Sequence, residues 1–297
     1  MQYVTVDNIT AKVIDIVAQT PDPRLREISV SLVKHLHAFI REVKPTDVEF
    51  EQGCAFLVGL GQATSEKKNE VILASDILGA STLISLQNDQ CQPSNLKQEK
   101  TNSALLGPFW RAHAPICAHG DNIARGAEAS LPGQLLLVSG TVRDTAGKPV
   151  PDAIVDVWQA SPFGLYENQD DQQPDMNLRG RFRTDGEGIY AFRSVRPSGY
   201  PVPVDGPCGD LLRAQARRPY RPAHLHFMVS KPGYKVLITQ FFADDDEHLA
   251  TDVTFSVVKN LVGSFRKHGE GSDSHFTVSH DLVITSGEMV FPVPPIP

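Results

Sequence analysis

The sequence predicts an α+β protein in which a helical N-terminal region precedes an antiparallel β-sandwich. Apolar residues recur at helical spacing through residues 5–90, whereas short strand-like runs dominate from about Gly133 onwards. Sixteen of the 22 prolines lie in residues 132–297, as expected for a region with many turns. We therefore divide the chain into a helical domain, residues 1–105, and a β-sandwich domain, residues 106–297.

The helical region is predicted from two stretches of apolar periodicity and one capping motif. The first stretch has three- and four-residue steps, as on one face of a helix, and its members are Leu25, Ile28, Leu32, Leu36, Phe39 and Val43. After Pro45, the pattern Thr46-x-x-Glu49 is a capping box that opens a helix ending at about Gln62. A further helix is expected over residues 66–87. We predict three to four helices in this region.

Six short runs bounded by turn residues are predicted to be strands. The first two, 134–143 and 153–159, are joined by DTAGKPVPD, whose glycine and prolines favour turns. The others are 188–193, 223–230, 235–243 and 281–284. Short strands at this spacing are typical of an antiparallel sandwich or barrel. Residues 106–132 are expected to form an irregular connector.

Composition and charge argue against several classes of function. The 297-residue chain has a net charge of −7 and no run rich in Lys and Arg, so a nucleic-acid partner is not expected. No apolar stretch reaches the roughly 18–20 residues of a membrane-spanning helix, and the first residues lack the pattern of a secretory signal. No CxxC motif occurs among Cys54, Cys91, Cys117 and Cys208. We expect free thiols and a cytoplasmic location.

Two histidines, His224 and His226, form the most informative motif of the chain. They lie two residues apart in a predicted strand, so both side chains share one face and Leu225 points to the other. Imidazole is the commonest protein ligand of transition metals. The pair indicates a metal site, and the identity of the metal depends on the other ligands.

Two tyrosines are further candidate ligands. Tyr166 lies in an irregular segment after a predicted strand. Tyr200 stands between Gly199 and Pro201, which restrict the local backbone. A phenolate is a hard, electron-rich donor that suits Fe(III). The residues alone leave a second interpretation open, a zinc site that uses carboxylates near Asp244–Glu247.

Four short motifs together resemble those of the intradiol catechol dioxygenases. Their order and spacing agree with that family, and they read Gly-Leu-Tyr166, Gly-Tyr200-Pro, Arg221-Pro-Ala-His224-Leu-His226-Phe and Thr239-Gln240. The segment Leu106-Gly107-Pro108-Phe109 is similar to a motif at the family's pocket wall. The N-terminal helices resemble the linker domain of the catechol and hydroxyquinol 1,2-dioxygenase branch, which the protocatechuate 3,4-dioxygenases lack. The resemblance covers nearly the whole chain.

The resemblance implies one non-haem Fe(III) ion per subunit, ligated by Tyr166, Tyr200, His224 and His226. It also implies catalytic roles for three residues. Tyr200 is the ligand expected to leave the metal and accept a substrate proton. Arg221, a permanent cation, would stabilise negative charge that develops on the ring. Gln240, on the neighbouring strand, would donate a hydrogen bond near the iron.

Two residues of the implied substrate pocket bear on the choice of substrate. Asp76 matches an aspartate of the hydroxyquinol enzymes, and its carboxylate could accept a hydrogen bond from a third ring hydroxyl. Val253 occupies a position at which some catechol enzymes have a larger residue, phenylalanine. The run 200–207 is also closer to the hydroxyquinol branch, whereas Trp110-Arg111-Ala112-His113 departs from the family's usual residues. The implied pocket residues are Leu73, Asp76, Leu105, Leu106, Gly107, Phe109, Val202, Pro203 and Val253.

The resemblance therefore predicts a hydroxyquinol 1,2-dioxygenase, which uses O2 to form 3-hydroxy-cis,cis-muconate, a tautomer of maleylacetate. A catechol or substituted-catechol 1,2-dioxygenase is the alternative enzyme, and a transthyretin-like binding module is the alternative without catalysis. The apolar helix faces predict a homodimer. The resemblance implies a lipid between the helical domains of that dimer.

Overall fold

A computed structural model describes residues 3–90 and 99–296. By its internal contacts the chain divides into two compact units, Met1–Val58 and Gly59–Pro297. Cys54, Cys117 and Cys208 are free thiols, as predicted, and Cys91 lies outside the described residues. The domain boundary placed between residues 105 and 106 stays a prediction from the sequence.

Five α-helices occupy the described chain before residue 91, and they are α1 (Ile9–Val17), α2 (Pro23–Val43), α3 (Asp47–Ala63), α4 (Glu70–Ile77) and α5 (Ala80–Gln90). Helix α2 covers the predicted apolar series, and the Asp22 side chain caps it by accepting a hydrogen bond from Leu25 N. The predicted capping box at α3 is confirmed. Thr46 N donates to Glu49 Oε2, and Glu49 N donates to Thr46 Oγ1.

The single helix predicted over residues 66–87 is wrong, because α4 and α5 are separate helices with a bend of 67° between them. Gly79 lies at this bend with a φ of +73°, a left-handed conformation that costs glycine little. Among the described helices, none alone is long and apolar enough to cross a membrane. The bent pair α4 and α5 meets that test by length and composition.

All strands of the described residues follow residue 134. In chain order they are β1 (Leu135–Asp144), β2 (Ile154–Trp158), β3 (Arg179–Arg183), β4 (Ile189–Val195), β5 (Tyr200–Pro201), β6 (Tyr220–Arg221), β7 (His224–Ser230), β8 (Leu237–Ala243), β9 (Val262–Gly263), β10 (Arg266–His268), β11 (His275–Ser279) and β12 (Leu282–Ile284). A further helix, α6 (Pro207–Ala214), lies between β5 and β6. The sheets are β10-β11-β1-β12 with β4 also paired to β1, then β3-β2-β7-β8-β9, and the small pair β5-β6.

The prediction of a purely antiparallel sandwich is wrong, because both five-stranded sheets are mixed. Strand β1 pairs in parallel with β11 and β12, and β8 pairs in parallel with β9. The cause is the path of the C-terminal chain. Strand β11 runs along the first half of β1 and β12 along its second half, both in the direction of β1. Six strands were not among the predicted runs, and they are β3, β5, β6, β9, β10 and β11.

The two faces of β7 have different surroundings. Leu225, Phe227 and Val229 are buried in the main apolar core, together with side chains of the other five-stranded sheet such as Leu136 and Phe192. The alternating residues of β7 point to the opposite face of its sheet. The predicted separation of the two histidines from Leu225 is therefore confirmed, and the candidate site lies on the face turned away from the sandwich core.

Candidate metal centre

Four buried side chains bring their polar atoms together beside β7, and each is at most 4% exposed. His226 Nε2 lies 3.1 Å from His224 Nε2 and 2.9 Å from Tyr166 Oη. Tyr166 Oη lies 3.1 Å from Tyr200 Oη. Three separate segments of the chain thus bring residues 166, 200, 224 and 226 together, as predicted.

Local structure explains how the two tyrosines reach the histidines. Tyr200 lies in β5 and pairs with Arg221 of β6, three residues before His224. Gly164 precedes Tyr166 with a φ of +82°, and a Cβ atom at Gly164 would lie 3.0 Å from Tyr200 Cβ. A residue without a side chain is therefore needed where the two tyrosine segments pass each other.

The protonation states of the histidines leave their Nε2 atoms able to bind a cation. Burial, followed by the charge of Arg221, lowers the pKa of His224 to about 3. Burial likewise holds the pKa of His226 well below its ordinary value. The carbonyl oxygen of Pro222 can only accept, so His224 Nδ1 carries the proton of their 2.7 Å hydrogen bond. The lone pair of His224 Nε2 therefore faces the cluster.

The donor set fits one trivalent metal ion. Ligand bonds of about 2.0–2.2 Å at near-right angles place neighbouring donors about 3 Å apart, the separation found between these four side chains. Burial raises the pKa of both Tyr166 and Tyr200, so the phenols stay neutral unless a cation compensates the phenolate charge. Two phenolates with two neutral imidazoles would carry −2, which a trivalent ion can offset.

The alternative zinc site at Asp244–Glu247 has no support in the described chain. Among the described residues, no group of three or more His, Cys, Asp and Glu side chains is arranged to hold a metal. Asp246 instead accepts hydrogen bonds from Ala223 N and His248 N. The donor set beside β7 differs because half of it is tyrosine.

Arg221 lies beside the four donors, is 3% exposed and makes hydrogen bonds with all three nitrogens of its guanidinium group. Its Nη1 donates to His224 Nε2 at 3.2 Å, and its Nη2 donates to Gln240 Oε1 at 2.7 Å. Gln240 pairs with His226 in the β7–β8 register, and its Nε2 lies 2.8 Å from Leu105 O and 3.4 Å from His226 Nδ1. Arg221 and Gln240 therefore both lie beside the histidine donors.

Asp252 is a residue of the site that the sequence analysis missed. One of its carboxylate oxygens lies 3.1 Å from Arg221 Nε. The same carboxylate accepts hydrogen bonds from the backbone N–H groups and hydroxyls of Thr254 and Ser256. An Asp that accepts from residues two and four positions later is a recognisable turn pattern, so the local motif was detectable although its contact with Arg221 was not.

A narrow cavity opens over three of the four donors, Tyr166, Tyr200 and His226. Among its lining residues, Leu73, Asp76, Gly107, Phe109, Val202 and Pro203 were predicted, Pro108 belongs to the predicted wall motif, and Thr254 was not assigned to the pocket. Leu105, Leu106 and Val253 do not belong to this lining. Leu105 instead contributes its carbonyl oxygen to Gln240, and Val253 is buried with its N–H bonded to Tyr220 O.

Asp76 is the carboxylate of the cavity wall. It lies on α4 and is 2% exposed. Burial raises the pKa of Asp76 to about 6, although Ser81 and Arg221 oppose that increase. Near neutral pH its carboxylate is therefore mostly ionised, in a cavity that also contains the Arg221 cation.

Aromatic rings hold two of the four donors in place. The Trp158 ring stacks on the His226 ring with centroids 4.7 Å apart and an interplanar angle of 12°. The Phe109 ring lies 4.7 Å from the Tyr166 ring. Trp158 was predicted only as part of a strand, because its contact with His226 depends on the pairing of β2 with β7.

Comparison with known proteins places the chain among dioxygenases. Residues 105–286 match the family model described as Dioxygenase, and residues 22–95 match the model described as Catechol dioxygenase N terminus. A 6-chlorohydroxyquinol 1,2-dioxygenase of Cupriavidus pinatubonensis is 39% identical over 284 residues, 96% of this chain and 99% of the relative. A catechol 1,2-dioxygenase of Candida albicans is 39% identical over 247 residues, 82% of this chain and 79% of the relative.

A solved structure extends the similarity to the fold. The crystal structure of hydroxyquinol 1,2-dioxygenase from Pseudomonas putida matches with a TM-score of 0.83 and 36% sequence identity. The match covers 95% of this chain and 99% of that one. Hydroxyquinol 1,2-dioxygenases recur among the similar relatives, and one catechol 1,2-dioxygenase reaches a comparable identity over a shorter span.

Proposed function

The chain belongs to the intradiol ring-cleavage dioxygenases, and we propose that within this family it is a hydroxyquinol 1,2-dioxygenase. The observation that carries the choice of substrate is Asp76, an ionisable carboxylate buried in the cavity wall. A buried acceptor favours a ligand that brings a matching donor, since an unpaired polar group in a cavity is costly. Hydroxyquinol has a third ring hydroxyl that can donate to Asp76, and catechol lacks it.

We propose Tyr166, Tyr200, His224 and His226 as the ligands of one Fe(III) ion per subunit. The proposal is supported by the spacing of their donor atoms, the neutral imidazoles and the two phenols. When bound, the ion would hold the two adjacent oxygens of the substrate and make its ring reactive toward O2.

The remaining residues of the site have separate tasks in the proposed reaction. Substrate and O2 give a dicarboxylate and two protons, with both atoms of O2 in the new carboxylates. Tyr200 Oη is placed to accept one of the two phenolic protons. The Arg221 guanidinium, facing the cavity, stabilises negative charge that develops on the ring. Gln240 keeps that guanidinium in position by accepting its Nη2–H.

Oxygen uptake by the purified protein tests the proposed activity. We expect iron close to one atom per chain, a red-brown colour from tyrosinate-to-iron charge transfer, and oxygen consumption with hydroxyquinol. A colourless, iron-free protein that consumes no oxygen after iron loading would favour the transthyretin-like binding module. A clear preference for catechol over hydroxyquinol would instead leave the family assignment intact and reject the proposed substrate.

Replacement of Asp76 tests the choice of substrate separately. We expect Asp76→Ala to lower kcat/KM for hydroxyquinol by about 10- to 100-fold and to leave catechol within about threefold, because only hydroxyquinol loses a hydrogen bond. Asp171→Asn, which changes an exposed carboxylate, is the control and should alter neither substrate. Equal losses on both substrates would show that Asp76 does not select the third hydroxyl.

We also propose that the protein is a homodimer joined through α2. The apolar series of this helix is exposed in the single chain, with Leu32 63% and Phe39 57% exposed. A second copy of the chain would cover it. Sedimentation should give twice the chain mass, and Leu32→Lys together with Phe39→Lys should give monomers. Solvent extraction followed by mass spectrometry would detect a lipid at this face.

A further inference from the structure

The ring of Tyr166 has a buried cation beside it that the proposed reaction does not use. Arg179 lies on β3, is 1% exposed, and places its guanidinium carbon 6.0 Å from the centroid of the Tyr166 ring. In the β2–β3 pair, Arg179 stands opposite Trp158, whose ring stacks on His226. Arg179 thus lies beside one proposed ligand, Tyr166, and its neighbour across the strand pair, Trp158, contacts a second, His226.

A buried carboxylate holds this cation. Arg179 Nε donates to Glu167 Oε2 at 2.7 Å, and the two side chains are 1% and 2% exposed. Glu167 is the residue that follows Tyr166, and its other oxygen accepts a hydrogen bond from Arg111 Nη1 at 2.9 Å. The backbone around Tyr166 is therefore tied to a charged cluster of two guanidinium groups and one buried carboxylate.

Stability alone does not account for this cluster. Removing two charges from water costs several kcal/mol per ion, and apolar replacements of buried ion pairs are often neutral or stabilising. Arg179 also retains one nitrogen, Nη1, with no hydrogen-bond partner among the described residues. The positive charge of a buried guanidinium beside an aromatic ring stabilises the electrons of that ring.

We propose that Arg179 is a positioning residue that acts through Tyr166, stabilising the electrons of its phenolate when the metal is bound, and that Glu167 opposes this effect while holding Arg179 in place. The inference rests on the proposed metal ligation. A cation near the phenolate lowers the energy of the donor electrons more than that of the more distant metal. The charge-transfer transition from Tyr166 to iron should therefore need more energy with Arg179 present.

The visible spectra of the iron-loaded protein and two charge variants test the inference. We expect Arg179→Met to move the charge-transfer band to longer wavelength and Glu167→Gln to move it to shorter wavelength. The shift for Arg179→Met should be on the order of 10 nm for a single charge about 6 Å from the ring. The band of the double variant should lie near the wild-type wavelength, because the two shifts have opposite directions and cancel. Arg183→Met is the matched control, since Arg183 is an exposed arginine on the same strand.

Opposite shifts in the two single variants are the decisive result, because simple damage to the site would not change sign with charge. Shifts in the same direction, or no shift with iron content retained, would overturn the inference. Should Arg179→Met fail to fold or to hold iron, Glu167→Gln decides alone, since a shift of its band to longer wavelength, or no shift with iron retained, would overturn the inference. A wild-type protein that holds iron without any charge-transfer band would instead reject the proposed tyrosine ligation itself.

Discussion

At the scale of single residues, the direction of the Arg221 guanidinium is fixed by Asp252. Burial acts to raise the pKa of Asp252, but Arg221 and Ser256 outweigh it and bring the value to about 2. The carboxylate is therefore ionised at any working pH. Hydrogen bonds from the N–H groups and hydroxyls of Thr254 and Ser256, four donors in all, hold it still. An anchored anion is the kind of support that keeps a cationic catalytic group aligned.

We predict that Asp252→Asn lowers kcat by about 10- to 100-fold with a smaller change in KM, because the substitution keeps the shape of the anchor and removes its charge. Iron content and the visible band should stay at the wild-type level. Steady-state oxygen uptake provides the measurement. In an Arg221→Met background the same substitution should have less than a twofold effect, since Asp252 acts through Arg221. Additive losses in the double variant would contradict this coupling.

The four donors were predictable from the sequence, and the residues that support them were not. His224 and His226 share a face by strand geometry alone, and Tyr166 and Tyr200 stand in recognisable local motifs. Arg179 reaches the site through the register of three strands, β3, β2 and β7, which no local pattern specifies. Supporting contacts of this kind depend on pairings between distant segments, so the sequence contains them only implicitly.

At the scale of elements, the helix that carries Leu73 and Asp76 is fixed by a carboxylate at its first residue. Glu70 of α4 is fully buried, and its Oε1 accepts a hydrogen bond from Cys208 N, in the first turn of α6, at 3.0 Å. A Cβ atom at Gly206 would lie 2.4 Å from this same oxygen. A carboxylate at a helix N-terminus is favoured by the unpaired N–H groups there.

We predict that Glu70→Ala lowers the free energy of unfolding by about 2 kcal/mol, because it leaves the buried N–H of Cys208 without a partner. Urea denaturation monitored by circular dichroism gives this value. Glu66→Ala, which removes an exposed carboxylate four residues earlier, should stay within about 0.5 kcal/mol of the wild type. Equal midpoints for the two variants would mean that Glu70 does not hold α4 to α6.

The division between α4 and α5 could not be predicted from the spacing of apolar residues. Apolar residues continue through both helices at helical spacing, so the period alone predicts one helix. The break depends on Gly79, whose positive φ lets the chain turn. A single glycine within a helical pattern is compatible with a continuous helix as well as with a bend. The surroundings of Gly79, including the Phe255 ring, then determine the outcome.

At the scale of the whole molecule, the two five-stranded sheets enclose one apolar core, and the sandwich was predictable while its strand directions were not. Alternation within β1 and β7 specifies which side chains face inward. The parallel pairing of β1 with β11 and β12 depends on where the C-terminal chain returns, and contacts over more than a hundred residues decide that. The break between β11 and β12 contains His280, which contacts both sheets.

His280 joins the two sheets by different groups. Its backbone N–H donates to Ser139 O, and its carbonyl oxygen accepts from Tyr190 Oη at 2.6 Å, both on the first sheet. Its ring stacks on Phe241 of β8 with centroids 3.7 Å apart. Its Nε2 has no partner among the described residues. Burial lowers the pKa of His280 to about 4, although Asp281 opposes that decrease.

This pKa makes the stability of the sandwich depend on pH. A histidine that stays neutral in the folded protein is protonated in the unfolded chain below an ordinary pKa of about 6.5. The unfolded state therefore binds more protons between pH 6.5 and about 4, and the stability due to His280 falls as the pH falls through that range.

We predict that His280→Gln reduces the loss of unfolding free energy between pH 7.5 and pH 5 by about 2 kcal/mol. The comparison cancels the protonation of all other groups, because wild type and variant share them. His119→Gln, at an exposed histidine, should retain the wild-type pH dependence. If urea titrations of wild type and His280→Gln gave parallel curves against pH, the buried ring would not be the group that senses acid.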